Sequence, residues 1–143
     1  AGMAVGVARG ALEHAREILE KEGVKVRYRG PLFAKRAAEA ELIRMEADWE
    51  AGRLLMLKAA WMADNGIPNS TEASMSKAKA ARVANQITLR CVELCGGLGY
   101  SEDELLEKWA RDSKILDIFE GTQQIQLLII ARRLLGKRSA ELR

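Results

Sequence analysis

The sequence predicts an all-α fold, an antiparallel up-and-down four-helix bundle with a short extra helix. Three observations carry that expectation. Ala, Leu, Glu, Lys and Arg, all good helix formers, dominate the chain. Apolar residues recur at three- and four-residue steps over long stretches. Gly and Pro total only 14 of 143 residues and cluster at a few points, so the breaks between segments are few and sharp. Aromatics are 5%, low for an all-β core, and no pair of segments alternates as paired strands would. The length fits one domain spanning residues 1–143, large enough to bury roughly two-thirds of the unfolded chain's surface.

The first helix is expected from Ala1 to about Glu22. Ala4, Val5, Ala8, Ala11, Leu12, Ala15 and Leu19 form one face, and Gly23 ends it. It starts without a capping residue, as a piece excised from a longer chain would. Gly30-Pro31 opens the second helix, since Pro suits a first turn. Its stripe is Leu42, Met45, Trp49, Arg53, Met56 and Ala60, and Asn65-Gly66 stops it before Pro68. Roughly 34 residues would make a rod of about 50 Å. Asn69 or Ser70 caps the third helix, with Glu72 as capping-box partner. Ala73, Ala80, Val83, Ala84, Ile87, Cys91 and Leu94 face inward, and Gly96-Gly97-Leu98-Gly99 breaks the helix. Ser101-Glu102-Asp103-Glu104 reads as a second capping box, starting the short helix to about Trp109. Thr122 caps the last helix, whose apolar stripe is Ile125, Leu128, Ile129 and Leu135 and which Gly136 ends.

Composition narrows the function classes. The formal charge is +3, from 23 basic and 20 acidic residues with interspersed signs. Only Arg132, Arg133, Lys137, Arg138 and Arg143 make a dense basic group. A nucleic-acid binder more often shows a basic stripe with interleaved aromatics, so no nucleic-acid partner is expected. Cys91 and Cys95, with the single His14, make neither a disulfide framework nor a zinc set, and no metal site is expected. The cysteines read as small core residues in a reducing compartment and His14 as a surface residue. No apolar run is long enough to span a membrane, and no secretory leader is visible.

Glu120 is the chemically informative residue. It follows Ile115, Leu116, Ile118 and Phe119 and precedes Gly121-Thr122. A carboxylate among apolar residues is partly desolvated, which makes it a better base. Gly121 lets a ligand approach the backbone, and the exposed amides of the following helix start could receive an anion. The Gly96–Gly99 cluster lacks the preceding strand of a dinucleotide fingerprint and by itself is a helix stop.

Arg111-Asp112-Ser113-Lys114-Ile115-Leu116-Asp117-Ile118-Phe119-Glu120-Gly121-Thr122-Gln123-Gln124-Ile125-Gln126 resembles the signature of the acyl-CoA dehydrogenase family. So do Cys95-Gly96-Gly97-Leu98-Gly99-Tyr100, Glu72-Ala73-Ser74-Met75-Ser76-Lys77 and the opening from Ala1-Gly2 to Glu13. Each match is modest alone, but they run in family order over nearly the whole chain. The resemblance implies the C-terminal helical domain of a three-domain flavoenzyme, with the N-terminal and middle domains outside this sequence. It implies FAD as cofactor, an acyl-CoA thioester as substrate and an electron-transfer flavoprotein as acceptor. A homo-oligomer, dimer or tetramer, is implied too, in the bacterial cytoplasm or the mitochondrial matrix.

The resemblance also assigns residues. Glu120 would be the catalytic base that takes the α-proton while the β-hydrogen leaves as hydride to flavin. Thr122 and Gln124 match positions near the flavin. Gly96 and Gly97 match a turn beside the flavin pyrophosphate of a neighbouring subunit. Gly121 and Arg132 match positions on the substrate side, while Arg111 and Asp112 are expected to be structural. Two departures stand out. Where the family often has Arg-x-x-Phe-Gly, this chain has Lys25-Val26-Arg27-Tyr28-Arg29, so Lys25 or Arg27 would contact the pyrophosphate, and lysine is the poorer bidentate clamp. Where the family usually has glutamine, this chain has Glu93, for which Lys25 is the expected counter-charge. The alternatives are an acyl-CoA oxidase on the same scaffold and a non-catalytic helical oligomerisation module. The 143 residues alone are expected to be inactive.

Overall fold

The computed structural model describes residues 1–141; Arg143 of the basic group lies outside the described residues. Five helices account for most of the chain: α1 (Gly2–Lys21), α2 (Ala37–Asp64), α3 (Ser70–Tyr100), α4 (Leu106–Ile115) and α5 (Gln123–Leu135). Short 3-10 turns occupy Leu32–Ala34 and Ser139–Glu141, and there is no strand among the described residues.

Side-chain pairs between helices fix their directions. The Trp49 indole N–H donates to the Val5 carbonyl at 3.0 Å and Arg16 reaches Glu46 at 3.3 Å, so α2 runs back along α1. Asp48–Lys79 at 3.1 Å, Glu41–Arg90 at 3.2 Å and Lys58–Glu72 at 3.7 Å make α3 antiparallel to α2. Thr88 and Ser113 share a buried hydroxyl hydrogen bond of 2.9 Å, and Arg133 reaches Ser70 at 3.4 Å. Helices α4 and α5 thus lie one after the other along α3, together forming the fourth antiparallel rod. That rod is broken between Leu116 and Thr122, and the break holds Glu120.

The core explains why α3 is central. Ala4, Ala8, Ala11 and Ala15 of α1 meet Ala80, Ala84 and Cys91 of α3, and small side chains let the two axes approach closely. Leu12, Leu42, Ile87 and Leu106 fill the remaining volume and are essentially inaccessible to water. Both cysteines are buried and unpaired, as the sequence predicts. Burial pushes the Cys91 thiol up to about 12 and the Cys95 thiol to about 11, so neither ionises readily and neither is a nucleophile near neutral pH.

Several boundaries differ from the sequence reading. Helix α2 has 28 residues, about 42 Å, because Pro31 starts a 3-10 turn and Arg36 is extended before Ala37. The Asn69 side chain does not cap α3; its amide donates to the Ala59 carbonyl at 2.7 Å, and Glu72 pairs with Lys58 instead. Ser101 forms a tight turn with Asp103, and α4 begins five residues later at Leu106. The glycine break is a kink at Gly96 (φ 56°) followed by one more helical turn to Tyr100. His14 is half-buried: its Nε2 lies 2.5 Å from a Glu104 carboxylate oxygen and its ring meets Trp109 edge-on. Ala73 is exposed, and α5 has no buried residue: Ile125, Leu128 and Leu135 of its predicted stripe are exposed and Ile129 is half-buried.

Glu39 is the least expected core residue, at 1% exposure. It accepts the Arg27 backbone N–H at 2.8 Å and the Arg27 guanidinium at 3.1 Å, with the Lys35 ammonium at 3.6 Å. Hydrogen bonds from Arg27 hold its carboxyl down at about 2, well below the ordinary 4.5. A depressed carboxyl stabilises the fold above its unfolded value and loses that contribution as pH falls through the folded one. We expect the urea midpoints of the native protein and of Glu39→Gln to differ most above pH 4.5 and to converge as pH approaches 2. A gap that stays constant over that window would remove Glu39 from the acid response.

Candidate active site

The break in the fourth rod is a locally determined structure. After α4 ends at Ile115, the Asp117, Ile118 and Phe119 amides fold back onto the Lys114 and Ile115 carbonyls. The chain then turns sharply, with Glu120 at φ 54° and Gly121 at φ 94°. Glu120 is the only non-glycine described residue with positive φ. An L residue held there carries a conformational cost that persists only where the surroundings enforce it, and such residues concentrate at functional sites. The backbone angle at Gly121 calls for glycine, while an added Cβ would meet only the Gln126 side-chain amide, the free end of a flexible side chain. Thr122 then caps α5, its hydroxyl accepting the Ile125 N–H at 3.4 Å.

Glu120 sits at a cleft of about 530 Å³, within the usual range for small-molecule sites. Ala59, Ala60 and Ala63 of α2 and Ser70, Ala73 and Ser74 of α3 form its floor. Leu116, Phe119, Glu120 and Gln126 form the wall from the broken rod. Small side chains leave room for a slender apolar ligand. The Glu120 side chain is exposed rather than partly desolvated as expected.

The assigned residues divide into two groups. Glu120, Gly121, Thr122 and Gln124 lie together at the break; Thr122 and Gln124 adjoin the cleft in sequence without lining it. Lys25, Arg27, Glu93, Gly96 and Gly97 lie at the other end of α3. Residues 77 and 96 of that helix are about 28 Å apart, so the two groups are too distant to grip the same phosphate. Arg132 lies farther along α5, beside Arg133 and Lys137.

The geometry corrects three details. Arg27 is committed to the buried Glu39, which leaves the exposed Lys25 as the basic group available to a ligand there. Glu93 is paired with Arg90 at 2.6 Å, not with Lys25, because residues three apart on a helix are neighbours. At the start of α5 only the Gln124 amide is open to an anion, since Gln123 donates to Asp117 and Ile125 to Thr122. Room for a flavin dinucleotide exists at exposed Gly96 and Gly97, with nothing within 4 Å of an added Cβ, and the Lys25 side chain is exposed. Two residues escaped sequence reasoning. Lys77, on α3 facing the break, and Gln126, one turn into α5, both line the cleft, and only the packing of the rod against α3 reveals it.

Comparisons with known proteins agree with this architecture. Residues 1–135 match the family model described as the acyl-CoA dehydrogenase C-terminal domain. An acyl-CoA dehydrogenase of Bacillus subtilis (strain 168) is 38% identical over 136 residues, covering 95% of this chain and 35% of that protein. The solved butyryl-CoA dehydrogenase of Megasphaera elsdenii superposes with a TM-score of 0.80 at 35% identity, covering 92% of this chain and 34% of that one. An FAD complex of PigA superposes at 0.77 with 27% identity, covering 92% and 33%. The chain spans about a third of the length of these relatives. An all-helical fold, a family signature at the rod break and a match over nearly the whole chain together place the protein in the acyl-CoA dehydrogenase family, as its C-terminal domain.

Proposed function

We propose that this domain supplies the catalytic base of an FAD-dependent acyl-CoA dehydrogenase that introduces an α,β double bond into an acyl-CoA thioester. The observation that carries the reading is Glu120, held in a strained turn at the mouth of an alanine-floored cleft. Its carboxylate would accept the α-proton on a side-chain oxygen. The alanine floor would hold the acyl chain alongside, and Gly121 would let the thioester approach the backbone, with Arg132 farther out on the substrate side. FAD, when bound, supplies the oxidising power by accepting the β-hydrogen as hydride. Thr122 and Gln124 would orient the flavin end, while Lys25, Gly96 and Gly97 would meet the pyrophosphate of a cofactor held by a neighbouring subunit. Glu93, already neutralised by Arg90, then adds little repulsion to that contact.

Residues beyond this domain would close the cleft over Glu120 and provide the shielding that makes a carboxylate an effective base. Ile125, Leu127, Leu128, Leu134 and Leu135 of α5 are about half exposed or more, which supports a role in packing against other domains or subunits of a dimer or tetramer. An electron-transfer flavoprotein would reoxidise the flavin, in a bacterial cytoplasm or a mitochondrial matrix. No described helix is long and apolar enough to cross a membrane.

The test is anaerobic mixing of the flavin-loaded full chain with acyl-CoA thioesters of graded length. Bleaching of the flavin with formation of the enoyl thioester is the expected result. No bleaching with any thioester would leave the domain a non-catalytic module. Rapid reoxidation of the reduced flavin by oxygen would mark an oxidase.

A further inference from the structure

We infer that Lys77 is the positioning residue that holds the Glu120 turn in register with the cleft; the inference rests on the reading of Glu120 as base. Lys77 stands on α3, the most thoroughly packed helix, and its ammonium donates to the Leu116 carbonyl at 2.5 Å. That carbonyl belongs to the cap of α4, where helix carbonyls lack partners and carry partial negative charge, so a cation is favoured there. The same ammonium lies 5.5 Å from the centre of the Phe119 ring, within cation–π range. Lys77 therefore holds both ends of the Leu116–Phe119 turn, immediately before the base.

Apart from Lys77, the hydrogen bonds to residues 116–122 among the described residues come from the turn's own backbone and from the two helices it joins, Lys114 of α4 on Asp117 and Gln123, Ile125 and Gln126 of α5 on Asp117 and Thr122. A turn strained at Glu120, whose one hydrogen bond to α3 is the Lys77 contact, relies on that contact to set its position across the cleft. Lys77 also lines the cleft beside Glu120, so losing it would let the turn drift and carry the carboxylate out of line with the reacting carbon. Misplacing a reacting group by about 1 Å can cost on the order of a hundredfold in rate.

The experiment compares Lys77→Met, Lys77→Arg and Glu120→Gln in the flavin-loaded full chain, with rates expressed per bound flavin. Lys77→Met is expected to lower kcat for the acyl-CoA thioester by at least about tenfold while KM and flavin content stay within about twofold. Lys77→Arg, which keeps a cationic donor, is expected to recover most of the rate. A kcat for Lys77→Met near the native value overturns the inference. So does a loss shared with KM or flavin content, or one that Lys77→Arg does not repair. If Glu120→Gln turns over normally, the base assignment itself fails, whatever Lys77 does. If Glu120→Gln is inactive while Lys77→Met is native-like, only the inference falls.

Discussion

Glu120→Gln in the flavin-loaded full chain is expected to lower acyl-CoA-dependent flavin reduction by about 10²–10⁴-fold, the range for removal of a general base. The substitution keeps the size and shape of the side chain and its position in the left-handed turn, but the amide cannot accept the proton. Because the side chain is exposed and makes no hydrogen bond or ion pair among the described residues, the fold should not register the change. Thermal midpoint and flavin content should therefore match the native protein while the reduction rate collapses. Equal rates in the two proteins would exclude Glu120 from proton abstraction. A parallel loss of flavin would show instead that the carboxylate serves cofactor binding.

Two glycines of the α3 kink should respond in opposite ways. A Cβ on Gly99 would lie 2.5 Å from the Val92 carbonyl oxygen and 3.0 Å from Cys95 Cβ, and the first of these is backbone that cannot swing aside. Gly99→Ala should therefore force the kinked turn off its helix and destabilise the protein by about 1–3 kcal/mol, the usual cost of overpacking. Gly97, two residues earlier and exposed, has nothing within 4 Å of the same added atom. Gly97→Ala should change stability by less than about 0.5 kcal/mol, as at an ordinary surface site. Chemical denaturation of both variants checks the contrast. The proposed cofactor role of Gly97 adds a second readout: flavin affinity in the full chain should fall in Gly97→Ala although its stability does not. Equal stability losses in the two variants would mean the kink is less rigid than its geometry.

The bundle was legible because helix formation is mostly a local matter. The three- and four-residue spacing of alanines in α1, the Gly23 and Gly136 stops and the Thr122 cap act through residues a turn or less apart, and each appears where the pattern places it. Capping was less legible. Ser101, Asn69 and Glu72 each found a competing partner, Asp103, Ala59 and Lys58 respectively, and the last two arise only once α2 and α3 lie side by side. The same holds for Arg27, whose charge was drawn to Glu39 by the packing of the 23–36 segment over α2.

By itself the sequence determined the helical class, the approximate order and breaks of the helices, and a family signature centred on Glu120. It could not determine that α4 and α5 share one rod, that the rod's break opens on a cleft beside Glu120, or that Lys77 from a distant stretch of chain fastens that break. Spacing along one helix encodes which face is apolar, but not which element covers it or which polar groups meet across the gap. Those depend on the mutual packing of rods far apart in sequence, where one ammonium happens to reach one orphan carbonyl. For the same reason the exposed apolar side chains of α5 carry no address within this domain: what buries them is decided at the level of the whole assembly.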